Sequence, residues 1–329
     1  MARINKILPL SLVIILSACS SPSNGFKKTV FCFDTLTSIV LNKNDKQVVD
    51  DLEDILLRYD KITDNYQPRD IFNVYSLNHM EGETVYIGDQ PGQAPQELYD
   101  IIKAAHEAHY KKGASHFYIL VGTLAKMWKE ALTKGEVLSQ ETIDAEVERF
   151  NTTNYSFGDI DGLHISKYGD AEIDLGAIAK GAALDACKTY LDTTSITDYI
   201  IDAGSSSILL GKKNNDTGNY TIRLKDLPGT YFTAKNCFVS TSGISEQSWT
   251  INGVTYSHIV DSKTGSAVCL NDTVIVLTDN GAYGDAMSTS MMNNTVEEIE
   301  QLEETYPIKS IVIKDGKIVH KHKDIVLMS

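Results

Sequence analysis

Apolar residues recur at helical spacing through much of the first half of this 329-residue chain. Residues 31–41 instead alternate apolar and polar positions, which predicts a strand before the first helix. Pro95 and Ser139 stand where helices typically begin. Four helices are predicted from these signals, over residues 48–62, 98–108, 120–132 and 139–150.

After Gly158 the pattern changes to short apolar runs between turn residues, which predicts strands. Asn252-Gly253 and Asp315-Gly316 are hairpin signals between such runs. The predicted strands cover residues 163–166, 199–201, 207–210, 220–224, 231–232, 238–240, 249–251, 254–259 and 274–277, with helices at about 282–292 and 296–304. Helices mixed with antiparallel strands predict an α+β fold of mixed or antiparallel sheets with packed helices, and not a doubly wound parallel sheet.

The chain begins with features of an export signal, which we assign to residues 1–18. Basic residues precede an apolar run at residues 7–16 that is shorter than the about 20 residues of a membrane span. Small residues then lead directly to Cys19, as in the lipobox of bacterial lipoproteins. Cleavage before Cys19 and acylation of its sulfur are expected, and an ordinary secretory signal followed by a chance cysteine is the alternative.

The rest of the chain is divided into a lipidated cysteine with a flexible tether, residues 19–28, and a single domain, residues 29–329. The domain is expected on the extracytoplasmic side of a bacterial membrane, held there by the lipid on Cys19. The sequence leaves open whether that membrane is an inner, an outer or the only one.

Acidic residues outnumber basic ones by 44 to 30, and the formal net charge is −14. Such a charge argues against nucleic acid as a partner and against a basic membrane-binding patch. Cys32, Cys187, Cys237 and Cys269 form no Cys-x-x-Cys motif, which argues against a zinc or thiol-redox site. One disulfide is compatible with them, but buried free thiols are the preferred interpretation.

The stretch Asp174-Leu-Gly-Ala-Ile-Ala-Lys180-Gly181 follows a predicted short strand at residues 171–173 and enters a predicted helix. Backbone N–H groups at such a helix start favour anions, and Lys180 can direct its charge at one. The alternatives are that Asp174 only caps the helix and that Lys180 is a solvated surface residue.

Asp285 and Thr289 are four residues apart and would share one face of a helix. Carboxylate and hydroxyl oxygens together suit Mg²⁺ or Ca²⁺. The alternative is that Asp285 only places a negative charge in the first turn of its helix.

His258 lies at a predicted strand end, three residues before Asp261. This placement makes it a candidate general base, although a histidine beside a turn also needs no function. Ser242 and Gly243 belong to a small-residue loop that can line phosphates or a ring. The glycine-rich motifs of Rossmann and P-loop nucleotide sites and the Gly-x-Ser-x-Gly elbow are absent from the sequence.

In this order, four segments resemble the ApbE family of flavin transferases, from about Phe31 to Met292. The segments are Asp174-Leu-Gly-Ala-Ile-Ala-Lys-Gly181-Ala-Ala-Leu-Asp185, Val239-Ser-Thr-Ser-Gly243, His258-Ile-Val-Asp261 with Thr264-Gly265, and Asp285-Ala-Met-Ser-Thr289. The resemblance implies an ApbE-like, T-fold-related architecture. It also implies that FAD is bound with Mg²⁺, with Ca²⁺ or Mn²⁺ as substitutes, that FMN is joined through a phosphoester to a threonine or serine of another exported protein, and that AMP leaves.

By position, the resemblance assigns the metal to the carbonyl of Ala177 and the side chains of Asp285 and Thr289. It places His258 and Asp261 in the catalytic motif. The positions it implies for the flavin nucleotide are Phe33, Phe117, Tyr118, Asp174, Lys180, Ser242, Gly243, His258 and Ile259.

The chain departs from the family pattern at Phe33-Asp34-Thr35, where a Met-Gly-Thr-like motif is usual, and at Ser262, where proline is usual. Two alternative functions stay open beside flavin transfer. One is an FAD diphosphatase that splits FAD to FMN and AMP, and the other is a non-catalytic flavin-binding lipoprotein. The acceptor protein and the assembly also stay open, with a homodimer as one option.

Overall fold

The computed structural model describes residues 25–159 and 162–329. The predicted export signal and Cys19 lie outside these residues. Among the described residues, every helix is too short or too polar to cross a bilayer. The four cysteines in this part of the chain are free thiols.

The described elements are strands and helices in mixed order, with β6 to β13 following one another without a helix between them. The strands are β1 (Phe26–Cys32), β2 (Thr35–Leu41), β3 (Thr84–Tyr86), β4 (Asn154–Gly158), β5 (His164–Tyr168), β6 (Tyr199–Ala203), β7 (Ser207–Leu210), β8 (Tyr220–Arg223), β9 (Tyr231–Ala234), β10 (Cys237–Gly243), β11 (Ser248–Ile251), β12 (Val254–Ser257), β13 (Thr273–Thr278), β14 (Lys309–Lys314) and β15 (Lys317–Lys321). The helices are α1 (Lys46–Thr63), α2 (Val74–Asn78), α3 (Gln96–Lys111), α4 (Gly122–Lys134), α5 (Gln140–Thr152), α6 (Ala179–Asp192), α7 (Gly281–Met291) and α8 (Val296–Thr305).

Eight strands form one sheet in the order β1-β2-β6-β7-β10-β13-β14-β15, and every neighbouring pair is antiparallel. Three smaller sheets are β3-β5-β4, β8-β9 and β11-β12. The α+β prediction is confirmed, and so are the hairpins at Asn252-Gly253 and Asp315-Gly316.

Apolar side chains pack on both faces of the large sheet. On one face, the buried residues Leu52 and Leu56 of α1 share a core with Ile39 of β2 and Leu184 of α6. On the other face, the β8-β9 hairpin covers Ile275 and its neighbours. A third and larger core joins α3, α4, α5 and α7. These cores fix α6 and α7 against the same face of the sheet.

The predicted helices are confirmed, including the start at Ser139, whose hydroxyl accepts a hydrogen bond from the N–H of Thr142 (3.2 Å). The single strand predicted over residues 31–41 is wrong, because the chain turns there to form the β1-β2 hairpin. Phe33 and Asp34 adopt positive φ angles of 53° and 54° in the turn. Residues other than glycine rarely adopt this backbone conformation. The turn was therefore not recognisable, because no glycine marks it in the sequence.

Residues 171–173 form no strand, which corrects a second prediction. The side chain of Asn78 takes the place of a strand partner there. Its Nδ2 donates to the carbonyl of Ile173 and its Oδ1 accepts from the N–H of Ile173, both at 2.8 Å. The predicted tether is also shorter at its end, because Phe26, Lys27 and Lys28 belong to β1.

Candidate functional site

A cavity of about 180 Å³ opens where the first turn of α6 meets α7, β7 and β10. It adjoins a groove of about 1110 Å³ that extends to the β1-β2 hairpin. Phe33 and Gly243 line the groove, whereas Asp261 lines neither space. Ten predicted site residues line the cavity, namely Phe117, Tyr118, Asp174, Ala177, Lys180, Ser242, His258, Ile259, Asp285 and Thr289.

Asp285 is buried in the wall of the cavity, with 6% of its surface exposed. Its Oδ1 accepts hydrogen bonds from the hydroxyls of Ser207 (2.8 Å) and Ser240 (2.7 Å), and its Oδ2 accepts from the N–H of Gly181 (2.7 Å). Burial raises the pKa of Asp285, and the charge of Lys180 opposes this rise. Three donors leave the carboxylate with room for one further partner on the cavity side.

Ala177 lies just before the start of α6, and its carbonyl accepts no hydrogen bond from the described part of the chain. The helix ladder begins one residue later, with the N–H of Ala182 donating to Ile178 (3.0 Å). Asp174 does not cap α6, because its Oδ1 accepts from the N–H of Gly176 (2.7 Å). A free carbonyl oxygen therefore stands at the same cavity as Asp285.

Helices α6 and α7 each cap the first turn of the other with an aspartate from their second turn. Asp285 of α7 accepts from Gly181 in α6, and Asp185 of α6 accepts from the N–H groups of Gly281 (2.7 Å) and Ala282 (2.8 Å). The helices touch through backbone, since a Cβ on Gly181 would lie 2.1 Å from the carbonyl oxygen of Gly281. Only glycine fits this crossing.

Hydroxyl groups line the cavity next to the carboxylate. The Oγ of Ser242 lies 2.9 Å from that of Ser288 and 3.2 Å from the Oγ1 of Thr289. Ser288 also donates to the carbonyl of Asp285 (3.0 Å). These groups hold the Thr289 side chain at the cavity, where its oxygen can serve as a ligand or a hydrogen-bond donor.

His258 follows β12 and lies at the mouth of the cavity. Its Nδ1 is 3.3 Å from the carbonyl of Gln247, and its Nε2 is 4.0 Å from the carboxylate of Glu246. When Nδ1 donates to that carbonyl, Nε2 is free to accept a proton. Displacement of water around the ring lowers the pKa of His258 below 6.5, and Glu246 opposes this shift.

Asp261 is buried behind the cavity, where it pairs with a histidine that sequence reasoning missed. Its Oδ1 lies 2.8 Å from the Nδ1 of His116, and its Oδ2 accepts from the hydroxyl of Thr264 (2.9 Å). These bonds lower the pKa of Asp261 against the effect of burial. The structure therefore places Asp261 as an anchor of the loop that carries His258, away from the cavity itself.

The oxygen atoms of Ala177, Asp285 and Thr289 at the cavity are of the kind that a hard divalent cation binds. The described residues contain no group of three or more His, Cys, Asp or Glu side chains that could hold a metal. One carboxylate with a free carbonyl and a hydroxyl is instead an all-oxygen set, which hard cations such as Mg²⁺ accept together with water and substrate phosphates. Ala177, Asp285 and Thr289 fit this description.

Sequence reasoning also missed Glu246 and Asp185. A signal for Asp185 was present, since Gly181 to Thr189 and Gly281 to Thr289 share the pattern Gly-Ala-x-x-Asp-Ala-x-x-Thr. No comparable pattern marked Glu246, which only the fold brings next to His258.

The ApbE family model matches residues 33–312 of this chain. The FAD:protein FMN transferase of Chlamydia pneumoniae is 22% identical over 324 residues, which cover 96% of this chain and 99% of that protein. The FAD:protein FMN transferase of Treponema pallidum is 25% identical over 240 residues, which cover 66% of each.

Two solved structures are similar to this chain in fold. The ApbE protein of Thermotoga maritima superposes with a TM-score of 0.75 at 22% identity, covering 91% of this chain and 97% of that one. The flavin transferase ApbE of Vibrio cholerae superposes with a TM-score of 0.72 at 19% identity, with the same coverage. The predicted ApbE-like architecture is thereby confirmed.

Proposed function

Because the chain belongs to the ApbE family, we propose that it is an FAD:protein FMN transferase. The names of its relatives support this activity. The observation that carries the proposal is the cavity, which brings the carboxylate of Asp285, the hydroxyl of Thr289, the free carbonyl of Ala177, the amine of Lys180 and the imidazole of His258 together. A site that only bound a flavin would need no base at its mouth.

The proposed reaction transfers the FMN half of FAD to a threonine or serine of an exported acceptor protein. The acceptor hydroxyl oxygen bonds to the phosphorus of the FMN half, while the bond from that phosphorus to the bridging oxygen breaks. AMP leaves with the bridging oxygen, and the hydroxyl proton passes to Nε2 of His258. The lowered pKa of His258 keeps its ring neutral and ready to accept this proton near pH 7.

The diphosphate of FAD would lie near Lys180 and the first turn of α6. The amine of Lys180 and the positive amino end of the helix both favour anions. Ala177, Asp285 and Thr289 would hold Mg²⁺, for which Ca²⁺ or Mn²⁺ are the expected substitutes. When bound, this cation neutralises charge on the diphosphate and on the leaving AMP. Phe33 and Gly243 in the groove, and Phe117, Tyr118 and Ile259 in the cavity, are proposed contacts of the rest of the nucleotide.

FAD diphosphatase activity is the second candidate, and the exposure of His258 favours it. The side chain is 36% exposed, so both water and an acceptor hydroxyl have access to its imidazole. The two activities separate when the protein is incubated with FAD, Mg²⁺ and an exported acceptor that carries a threonine target. Flavin retained on the denatured acceptor, seen by fluorescence and by the added mass of FMN, indicates transfer, and free FMN alone indicates hydrolysis.

Neither FMN nor AMP would be released by a protein that only binds flavin, so this result would overturn both enzymatic proposals.

We further propose that the protein is an exported lipoprotein anchored through Cys19. Export and acylation should both be visible in cells grown with a labelled fatty acid. Label should appear on the wild-type protein and be absent from a Cys19→Ala variant, and an unlabelled wild-type protein would refute the anchor.

A further inference from the structure

The proposed metal ligands come from two helices that meet at one joint. Ala177 lies four residues before Gly181 on the α6 side, and Asp285 lies four residues after Gly281 on the α7 side. Gly181 and Gly281 are in backbone contact, since a Cβ on either would lie 2.1 to 2.4 Å from the carbonyl oxygen of the other. The spacing between the ligands therefore depends on how this joint is held.

Asp185 is the side chain that fastens the α7 side of the joint. Its two oxygens accept from two consecutive N–H groups, those of Gly281 and Ala282, at 2.7 and 2.8 Å. These N–H groups have no partner inside their own helix because they belong to its first turn. The carboxylate also faces the positive end of α7.

We propose that Asp185 is a positioning residue for metal binding, which holds the first turn of α7 so that Asp285 and Thr289 face the carbonyl of Ala177. This inference rests on the proposed function, because that function supplies the metal. It goes beyond that function in assigning a role to a side chain that does not line the cavity. Outer partners of this kind typically change metal affinity by 10- to 100-fold when they are replaced.

The Asp185→Asn variant tests the proposal with little change in shape. An amide offers one acceptor oxygen and one NH₂ group, so one of the two N–H groups of α7 would face a donor instead of an acceptor. The first turn of α7 must then shift, and the ligands one and two turns further along shift with it. Asp192→Asn is the matched control, because Asp192 ends α6 and its side chain is 59% exposed.

The main measurement is the dissociation constant of Mg²⁺ for the full protein by isothermal titration calorimetry. We expect it to rise at least tenfold in Asp185→Asn and to stay within twofold of wild type in Asp192→Asn. The Mg²⁺ concentration that gives half-maximal AMP release from FAD should rise in parallel, and the rate should recover at saturating Mg²⁺. A purely structural role would lower the melting temperature without moving this Mg²⁺ dependence.

Asp185→Glu keeps both acceptor oxygens on a longer side chain, and its loss of Mg²⁺ affinity should be smaller than that of Asp185→Asn. If Asp185→Asn does not fold, the Glu variant carries the test, and an unchanged dissociation constant in a folded variant overturns the proposal. A wild-type protein that releases AMP without binding Mg²⁺ overturns it too and leaves the reaction standing. A wild-type protein that binds Mg²⁺ but neither transfers FMN nor splits FAD refutes only the proposed function.

Discussion

Helices α6 and α7 carry the same nine-residue pattern, Gly-Ala-x-x-Asp-Ala-x-x-Thr, in different surroundings. In α7, Asp285 receives one N–H group and two serine hydroxyls and keeps an acceptor position at the cavity. In α6, both carboxylate oxygens of Asp185 accept hydrogen bonds from N–H groups of α7. The same residue at the same place in the pattern is thus a cap and a proposed ligand in one case and only a cap in the other.

The two threonines differ in the same way. Thr289 lies beside Ser242 at the cavity, whereas Thr189 is exposed and donates back to the carbonyl of Asp185 (2.9 Å). What separates the two copies is therefore the strands that each helix faces, because β7 and β10 supply hydroxyls only to α7. A sequence pattern names candidate ligands, and the neighbouring elements decide which of them are available.

The proposed functional difference between α6 and α7 depends most strongly on Asp285. We expect Asp285→Ala to lower AMP release or FMN transfer by about 1000-fold or more, because the proposed cation loses its only charged ligand. Steady-state assays with FAD and Mg²⁺ measure this loss, and circular dichroism should show a folded protein. Asp192→Ala is the control, and full activity in Asp285→Ala would eliminate the proposed metal site.

The joint between α6 and α7 can be disturbed at the backbone contact of Gly181 with Gly281. We expect Gly281→Ala to lower the free energy of unfolding by about 3 kcal/mol, since the added Cβ would lie 2.4 Å from the carbonyl oxygen of Gly181. Urea unfolding measures the change. Gly176→Ala is the milder counterpart, because its nearest neighbour is Asp174 Oδ1 at 3.1 Å, and equal losses in both variants would argue against a tight crossing.

The cap that Asp185 forms on α7 should make the stability of the protein depend on pH. Burial, with the nearby charge of Asp285, raises the pKa of Asp185 from 3.8 to about 6. A carboxyl group with a raised pKa stabilises the fold below pH 4 and loses this contribution as the pH rises past 6, here by at most about 3 kcal/mol. The unfolding free energy of wild type minus that of Asp185→Asn should therefore fall from pH 4 to pH 7, because only the wild-type side chain loses a proton in this range. A constant difference would contradict the assignment.

The smallest expected effect separates the two threonines. Thr289→Val should lower activity about tenfold, because it removes one neutral oxygen from the proposed cation site. Thr189→Val should change activity by less than twofold. The measurement is the rate of AMP release at limiting Mg²⁺, and equal effects of the two substitutions would remove the functional distinction between the helices.

Much of the fold was predictable where a stripe of apolar residues is long. Helices α1 and α3 have such stripes, and the hairpins at Asn252-Gly253 and Asp315-Gly316 have glycine in the turn. The β1-β2 turn was missed because Phe33 and Asp34 adopt positive φ without glycine. Strand β3 has only three residues, which is too short for a period to show.

The candidate site was predictable only in part, because it combines segments that lie far apart in the chain. The resemblance to a family named ten residues that the fold brings to one cavity, yet their roles remain predictions. Asp261 belongs to the same motif as His258 but faces His116, 145 residues away, and spacing cannot reveal which way a side chain points. The cap formed by Asp185 needs the crossing of two helices, which no local pattern encodes.

The order of strands in the large sheet has a consequence for how the chain folds. Strand β2 ends at Leu41, and its second neighbour in the sheet, β6, begins at Tyr199. When the chain emerges from its amino end, β2 has no β6 to pair with until more than half of the 329 residues have emerged. Pairing over such a distance is slow, and an open edge invites contacts with other chains. Contacts between chains through this open edge would compete with folding before the cavity between α6 and α7 has formed. The yield of folded protein on refolding should therefore fall as the protein concentration rises.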